Sequence, residues 1–224
     1  MLSIAIDGPA GAGKSTIART AAGALHFIYV DTGALYRAIG YHGLQVGADL
    51  TDTAAIKALL PELQVDLRFV GGQQRVFVGG EDVSDFIRSP QVSKAASQVS
   101  AVQEVRDFLM ETQRSLARKN SVIMDGRDIG TVVLPDADLK IFLTASPEAR
   151  AQRRCKELAE KGSPIPYEEV LRDIQQRDYD DSHREAAPLK QAADAVLVDT
   201  SELNLAESVD AVCALIRQRL GDRL

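Results

Sequence analysis

The chain has 224 residues, 45% hydrophobic and 26% charged, with a formal net charge of −6. That composition suits a soluble globular α/β domain with inserted subdomains, and its acidity argues against general affinity for a nucleic-acid polymer. No apolar run approaches the ~20 residues that span a bilayer, so no membrane partner is expected. A loop that starts at Gly8 leaves no room for a cleavable leader, which makes the cytoplasm the expected compartment.

The first unit reads as a strand over Leu2–Asp7, a loop, a helix over Lys14–Leu25 and a second strand over Phe27–Asp31. Ile17, Ala18, Ala21, Ala22 and Leu25 recur at helical spacing, so the unit is a parallel βαβ. A helix follows from about Gly33 to Leu44, then a short one through Ile56 and Leu59 to Pro61. At Leu63 the period changes to two: Leu63, Val65, Leu67 and Phe69 alternate with Gln64, Asp66, Arg68 and Val70. With the turn pairs Gly71-Gly72 and Gly79-Gly80, this predicts an antiparallel hairpin inserted in an α/β pattern, between about Pro61 and Ser89.

Helical spacing returns through Val92–Val99 and Val102–Leu116. Val122–Met124 and Leu139–Thr144 read as buried strands. Ser146-Pro147-Glu148 starts a helix that is expected to reach Lys161, closed by Gly162. After the hinge Ser163-Pro164-Ile165-Pro166, a helix is expected over Tyr167–Asp178. Asp178–Pro188 is too polar for a core element. Ala195–Val198 is the last strand, and Asn204 with Glu207 forms a capping box for the terminal helix. Cys155 and Cys213 fall on predicted helices with no metal or redox spacing and are expected to be reduced, structural thiols.

Gly8-Pro9-Ala10-Gly11-Ala12-Gly13-Lys14-Ser15 fits the phosphate-loop pattern G-x-x-x-x-G-K-[ST], in the strand–loop–helix context that the pattern requires. Its glycines let backbone N–H groups wrap a phosphate, and the following helix adds a positive dipole end. Lys14 is placed to reach the β- and γ-phosphates of a nucleotide and Ser15 to ligate Mg²⁺. Ligands of such sheets bind beyond the carboxyl ends of the strands. That rule picks out Asp31–Arg37, Asp125-Gly126-Arg127-Asp128 and Thr144–Ser146. Arginines recur in the segments expected at the cleft: Arg37, Arg127, Arg150, Arg153, Arg154, Arg177 and Arg184. Arg150, Arg153 and Arg154 share a helix face, where pairing with Glu157 is the simpler alternative. So many cations suit phosphoryl transfer to an acceptor that is itself a phosphate, because such an oxygen needs no general base. Asp31, Asp125 and Asp128 stay open as bases for a hydroxyl acceptor.

Taken together, these motifs resemble the bacterial cytidylate kinases, a branch of the nucleoside monophosphate kinases. The resemblance runs through Ile6–Ser15, Asp31–Arg37, Gly80–Ser84, Ala95–Ser100, Asp125–Val133 and Arg177–Arg184. It implies a P-loop NTPase fold with a five-stranded parallel sheet in the order 2-3-1-4-5. A monophosphate-binding insert would cover 61–100 and a helical lid 146–167, in a single-domain monomer. The implied reaction is Mg²⁺-assisted transfer from ATP to CMP or dCMP. It implies ATP binding by Gly8, Pro9, Ala10, Gly11, Ala12, Gly13, Lys14, Ser15 and Thr16, and catalytic roles for Lys14, Arg127, Arg153 and Arg154. Thr32, Tyr36, Arg37 and Arg127, with Asp125 and Gly126, would serve the acceptor phosphate and sugar. Ser97, Arg106 and Asp128 would read cytosine; Arg177 and Asp181 would hold the pentose region, with Arg184 near the base.

Two other readings compete. One is a phosphate-loop kinase for another nucleoside monophosphate or for a small hydroxylated metabolite. The other is a nucleotide switch, against which stands the absence of an N-K-x-D motif. The loop itself is testable: Lys14→Ala should lower ATP-dependent turnover by more than about tenfold. Retained turnover would overturn the reading of Gly8–Ser15 as a phosphate loop.

Overall fold

The computed structural model describes residues 1–160 and 162–224. In chain order its elements are β1 (Ser3–Asp7), α1 (Lys14–Leu25), β2 (Ile28–Asp31), α2 (Thr32–Gln45) and α3 (Thr53–Leu59). Next come β3 (Val65–Val70), β4 (Gln73–Val78), β5 (Glu81–Asp82), α4 (Pro90–Ser100) and α5 (Gln103–Lys119). The chain ends with β6 (Val122–Gly126), β7 (Leu139–Thr144), α6 (Pro147–Glu160), α7 (Tyr167–His183), β8 (Val196–Asp199) and α8 (Leu205–Leu220). They form two compact units, residues 1–29 with 120–224, and residues 30–119.

A parallel sheet of order β2-β6-β1-β7-β8 supplies the strands of the first unit, the division from the second falling within β2, after Tyr29. Counted along these five core strands alone, this is the expected 2-3-1-4-5. Ile4 pairs in register with Ile123 on one side and Leu139 on the other, so β1 is the central strand. Covered on both faces, β1 and β6 carry apolar runs rather than an alternating pattern. Ile4, Ile6, Ile123 and Ile141 pack against Ile17, Ala18 and Ala21 of α1 and Val212, Cys213 and Ile216 of α8. Asn204 and Glu207 make the predicted capping box of α8, each side chain bonding the other's backbone N–H. Ser146 Oγ accepts from the Ala149 N–H at the start of α6. Ala151 and Leu158 of α6 and Val170 of α7 form a smaller apolar cluster.

The second unit contains the predicted hairpin. Val70 pairs with Gln73, and Gly71 and Gly72 both adopt positive φ, so the connection is the two-residue turn that matches strand twist. A short third strand, β5, adds to β4. This unit is wider than the insert expected over 61–100, because its core takes in α2 and α5 as well. Leu35, Ala38 and Ile39 pack with Val76, Ile87, Val92, Val99 and Leu109.

Two further features differ from the sequence reading. α7 continues beyond Asp178 to His183, with Asp181 buried, because ion pairs satisfy that carboxylate inside the fold. After β6 the chain makes a single π-helical turn, Ile129–Val133. Lys161, expected to end α6, lies outside the described residues; the helix is seen to Glu160. Among the described residues no helix is long and apolar enough to cross a membrane.

Gly40 lies where α2 passes close against α4. A Cβ there would stand 2.9 Å from Ala95 Cβ and 3.0 Å from the Ala95 carbonyl carbon. Exchanging a mid-helix glycine for alanine ordinarily stabilises by about 1 kcal/mol. Here the obstruction includes backbone and overpacking wins, so Gly40→Ala should destabilise by about 1–3 kcal/mol in urea unfolding. A stabilised variant would show that the α2–α4 contact can relax.

Candidate active site

The loop between β1 and α1 has its shape imposed by Gly8. At φ +151 this residue lies against β7, and a Cβ would fall 1.9 Å from the Leu143 carbonyl oxygen, so no side chain fits. Gly13, at φ 85, is the N-cap of α1 and offers no side-chain acceptor to the first turn. The N–H groups there are left for an anion, the arrangement that binds phosphate. Lys14 is buried, and its Nζ donates to the Pro9 carbonyl at 2.7 Å, closing the loop around its own cation. Burial, and secondarily the Arg127 charge, push the Lys14 amine down to about 7, against the opposing pull of Asp125, Asp181 and Asp7. Thr16 continues into α1, where its carbonyl accepts from Thr20 Oγ1.

The ends of β1 and β6 supply the surrounding polar groups. Asp7 accepts from the backbone N–H groups of Ile129 and Gly130 at 2.8 and 2.7 Å, and so holds the π-turn that follows Asp128. Burial pushes the Asp7 carboxyl up to about 6 despite those bonds. Asp125 accepts from Ser15 Oγ at 2.9 Å and from the Tyr29 hydroxyl at 2.8 Å, one on each carboxylate oxygen. A hydroxyl and a carboxylate side by side are hard oxygen donors. Among the described residues no group of three or more His, Cys, Asp or Glu gathers to hold a metal, so a cation here would need phosphate or water oxygens to complete its shell.

Arg127 Nε donates to Asp181 Oδ2 at 2.7 Å and its Nη1 to the Gly126 carbonyl. Burial works against the Arg127 charge, but Asp181, Asp125 and Asp7 outweigh it and raise its pKa. Burial likewise opposes ionisation of Asp181, and Arg127, Arg177 and Arg184 together still hold its pKa below the usual carboxylate value. Arg184 stands 4.0 Å from Asp128 and 3.9 Å from Asp181. Its Nε and Nη2 donate to the carbonyl of Ala187, a residue held at the unusual φ of 46. The predicted set Lys14, Asp125, Gly126, Arg127, Asp128, Arg177, Asp181 and Arg184 thus belongs to one unit, and most of it is joined by the bonds above.

The α6 arginines divide. Arg150, expected at the cleft, is buried and bonded to carbonyls and to Asp178. Arg153 donates to the Thr200 and Leu203 carbonyls, in the segment after β8. Arg154 pairs with Glu157 at 2.8 Å, as the simpler sequence alternative had it. The partners of Arg150 and Arg153 lie far along the chain and leave no local signal. The same is true of Tyr29, which sequence reasoning missed: nothing in its neighbourhood indicates that its hydroxyl meets Asp125.

In the other unit, Asp31 caps α2 by accepting from Ala34 N at 3.0 Å, and its second oxygen takes Arg37 Nη2 at 2.7 Å. The Gln74 side chain clasps the Asp31 backbone at both N–H and carbonyl. Thr32 and Tyr36 are buried in α2. Arg106 is buried too, donates to the Ser100 carbonyl at 3.0 Å, and lies 5.4 Å from the Tyr36 ring centre. Ser97 lies on α4 within the same unit.

Lys14 carries a pH consequence. The Lys14 amine is pushed down to about 7 from the ordinary 10.5, chiefly by burial, so its charged form is held less firmly in the loop by itself than beside an anion. A polyphosphate bound there would favour the charged form. ATP binding near pH ~8 should therefore be accompanied by proton uptake, read by calorimetry in two buffers of different ionisation enthalpy, and Lys14→Met should abolish the uptake. Equal uptake by both proteins would exclude Lys14 as its source.

Comparison with known proteins bears on what this site serves. A family model described as cytidylate kinase matches residues 4–218. A cytidylate kinase of Caldicellulosiruptor saccharolyticus (strain ATCC 43494 / DSM 8903 / Tp8T 6331) is 48% identical over 223 residues, covering 100% of this chain and 99% of that one. One from Desulfitobacterium hafniense (strain Y51) is 50% identical, covering 98% and 94%. Among solved structures, a shikimate kinase from Bacteroides thetaiotaomicron aligns with a TM-score of 0.50 at 13% identity, over 98% of each chain. A gluconokinase from Sinorhizobium meliloti 1021 aligns at 0.50 and 17%, over 99% and 97%. These distant structures share the fold of phosphate-loop kinases and no more than the fold. With a family model matched along nearly its whole length and half its residues shared with curated relatives, the chain belongs to the cytidylate kinase family.

Proposed function

We propose that the protein transfers the γ-phosphoryl group of ATP to the 5′-phosphate of CMP or dCMP, giving ADP and CDP or dCDP. The single observation that carries the reading is the full-length family match, laid over a Gly8–Ser15 loop whose buried Lys14 sits among Asp7, Asp125, Arg127 and Asp181. Gly8–Thr16 take the donor triphosphate, with Lys14 charged once the phosphates are bound.

Mg²⁺ fits the donor set that Ser15 and Asp125 present, and bound there it would neutralise charge on the β- and γ-phosphates. Asp125, expected on the acceptor side, is better suited by its bond to Ser15 to the metal side. Tyr29 holds its other oxygen.

In the unit 30–119, Thr32, Tyr36 and Arg37 take the acceptor phosphate and sugar, and Ser97 and Arg106 read cytosine. In the other unit, Arg127 takes the acceptor phosphate, Asp128 accepts the cytosine amino group, and Arg177, Asp181 and Arg184 serve the pentose and base. The acceptor phosphate is already ionised, so no general base is needed. That matters for the rival reading: of the three candidate bases, Asp31 is engaged by Ala34 and Arg37, Asp125 by Ser15 and Tyr29, and Asp128 stands 4.0 Å from Arg184, which speaks against a hydroxyl acceptor. Arg153 and Arg154 keep their proposed role at the transferring phosphoryl only by exchanging Thr200, Leu203 and Glu157 for phosphate oxygens. The protein is proposed to act as a cytoplasmic monomer on these small molecules, without polymer or membrane.

Uracil would turn a carbonyl toward Asp128 where cytosine turns a donor, and a buried mismatch of this kind is costly. In a steady-state panel of CMP, dCMP, UMP, AMP and dTMP with ATP, kcat/KM for CMP should exceed that for UMP by more than about tenfold. Equal efficiency on the two would sink the base-reading role of Asp128, and activity only on a hydroxylated metabolite would replace the whole reading.

A further inference from the structure

Arg150 is the most deeply buried of the α6 arginines, at 2% exposure, and none of the roles above uses it. Its Nε donates to the Ala145 carbonyl at 2.8 Å, which fixes the guanidinium against the end of β7. Its Nη1 donates to the Ala10 carbonyl, within the phosphate loop, at 2.9 Å. The same Nη1 reaches Asp178 Oδ1 at 2.9 Å while Nη2 bonds Asp178 Oδ2, a two-pronged pair with α7. The aliphatic stem lies against Gly11, where an added Cβ would stand 3.6 Å from Arg150 Cβ. Four donor contacts of a rigid planar fork therefore converge on three segments. Lysine could keep the charge there, but one ammonium cannot reproduce the fork.

We propose that Arg150 is a positioning residue that ties the donor loop to the acceptor helix. Through the Ala10 carbonyl it sets the conformation of the loop. Through Asp178 it sets α7, one residue from Arg177 and one helical turn from Asp181. Asp178 is partly exposed, so α7 is the member of the pair that can shift, and Arg150 is the fixed post. Filling the loop with a triphosphate then biases α7 toward the arrangement that takes the acceptor, and the acceptor biases the loop in return, since such coupling is reciprocal. The proposal rests on the reading of Arg177, Asp181 and Arg184 as acceptor-binding residues.

The test measures CMP affinity by calorimetry with and without a non-hydrolysable ATP analogue, in the wild-type protein, Asp178→Asn and Arg150→Lys. The wild type should bind CMP at least about fivefold more tightly when the analogue is present. In both variants that ratio should fall toward one, with CMP affinity in the absence of the analogue changed less than about threefold. A merely structural role for the pair would lower stability and leave the ratio intact. Asp178→Asn keeps size and partial exposure, so a misfolded Arg150→Lys protein does not remove the test. Wild-type turnover of CMP with a ratio of one, or a full ratio in folded Asp178→Asn, overturns the clamp and leaves the proposed reaction standing. Absence of CMP binding and turnover in the wild type overturns both.

Discussion

Cations inside a folded protein must be held in place by acceptors, and that requirement organises the polar interior of this protein. An unpaired buried charge costs several kcal/mol. The fold answers by giving several cations a carboxylate neighbour: Arg37 has Asp31, Arg127 has Asp181, and Arg184 stands near Asp128 and Asp181. Lys14 meets the same constraint differently. Its amine bonds a loop carbonyl, and its proton affinity falls because burial outweighs the nearby carboxylates.

The hydrogen-bonded sheet makes those pairings possible. β1 runs at the centre of the sheet, so its carboxyl end emerges beside those of β6 and β7. Gly8 can then press on the Leu143 carbonyl and Asp7 can reach the N–H groups of Ile129 and Gly130. Each contact joins residues more than a hundred positions apart. The apolar packing of α1 and α8 around Ile4, Ile6 and Ile141 keeps the strand ends in register, and the polar geometry inherits that precision.

Much of this was legible before any coordinates. The glycine spacing and Lys14-Ser15 announce a phosphate loop because such loops are local: a turn, a run of N–H groups and a helix start within eight residues. Period-two alternation through Leu63–Phe69 announces the hairpin, and Asn204 with Glu207 announces the start of α8, for the same reason. The polar stretch after Asp178 misled a reading based on composition. A helix whose buried face carries Asp181 rather than leucine looks like a loop until Arg127 and Arg184 are found against it.

The sequence by itself determined the phosphate loop, the α/β pattern, the inserted hairpin and the family, since each rests on short-range spacing or on motifs read in order. Tertiary structure alone decided which arginines are available and which are committed. Arg150, Arg153 and Arg154 share one helix face and look equivalent in sequence. Yet one is buried against Ala10 and Asp178, one caps the carbonyls of Thr200 and Leu203, and one pairs with Glu157 three residues on. The reason is physical: a guanidinium's role is set by the acceptors within hydrogen-bond reach, and for Arg150 and Arg153 those acceptors come from segments that only folding brings near.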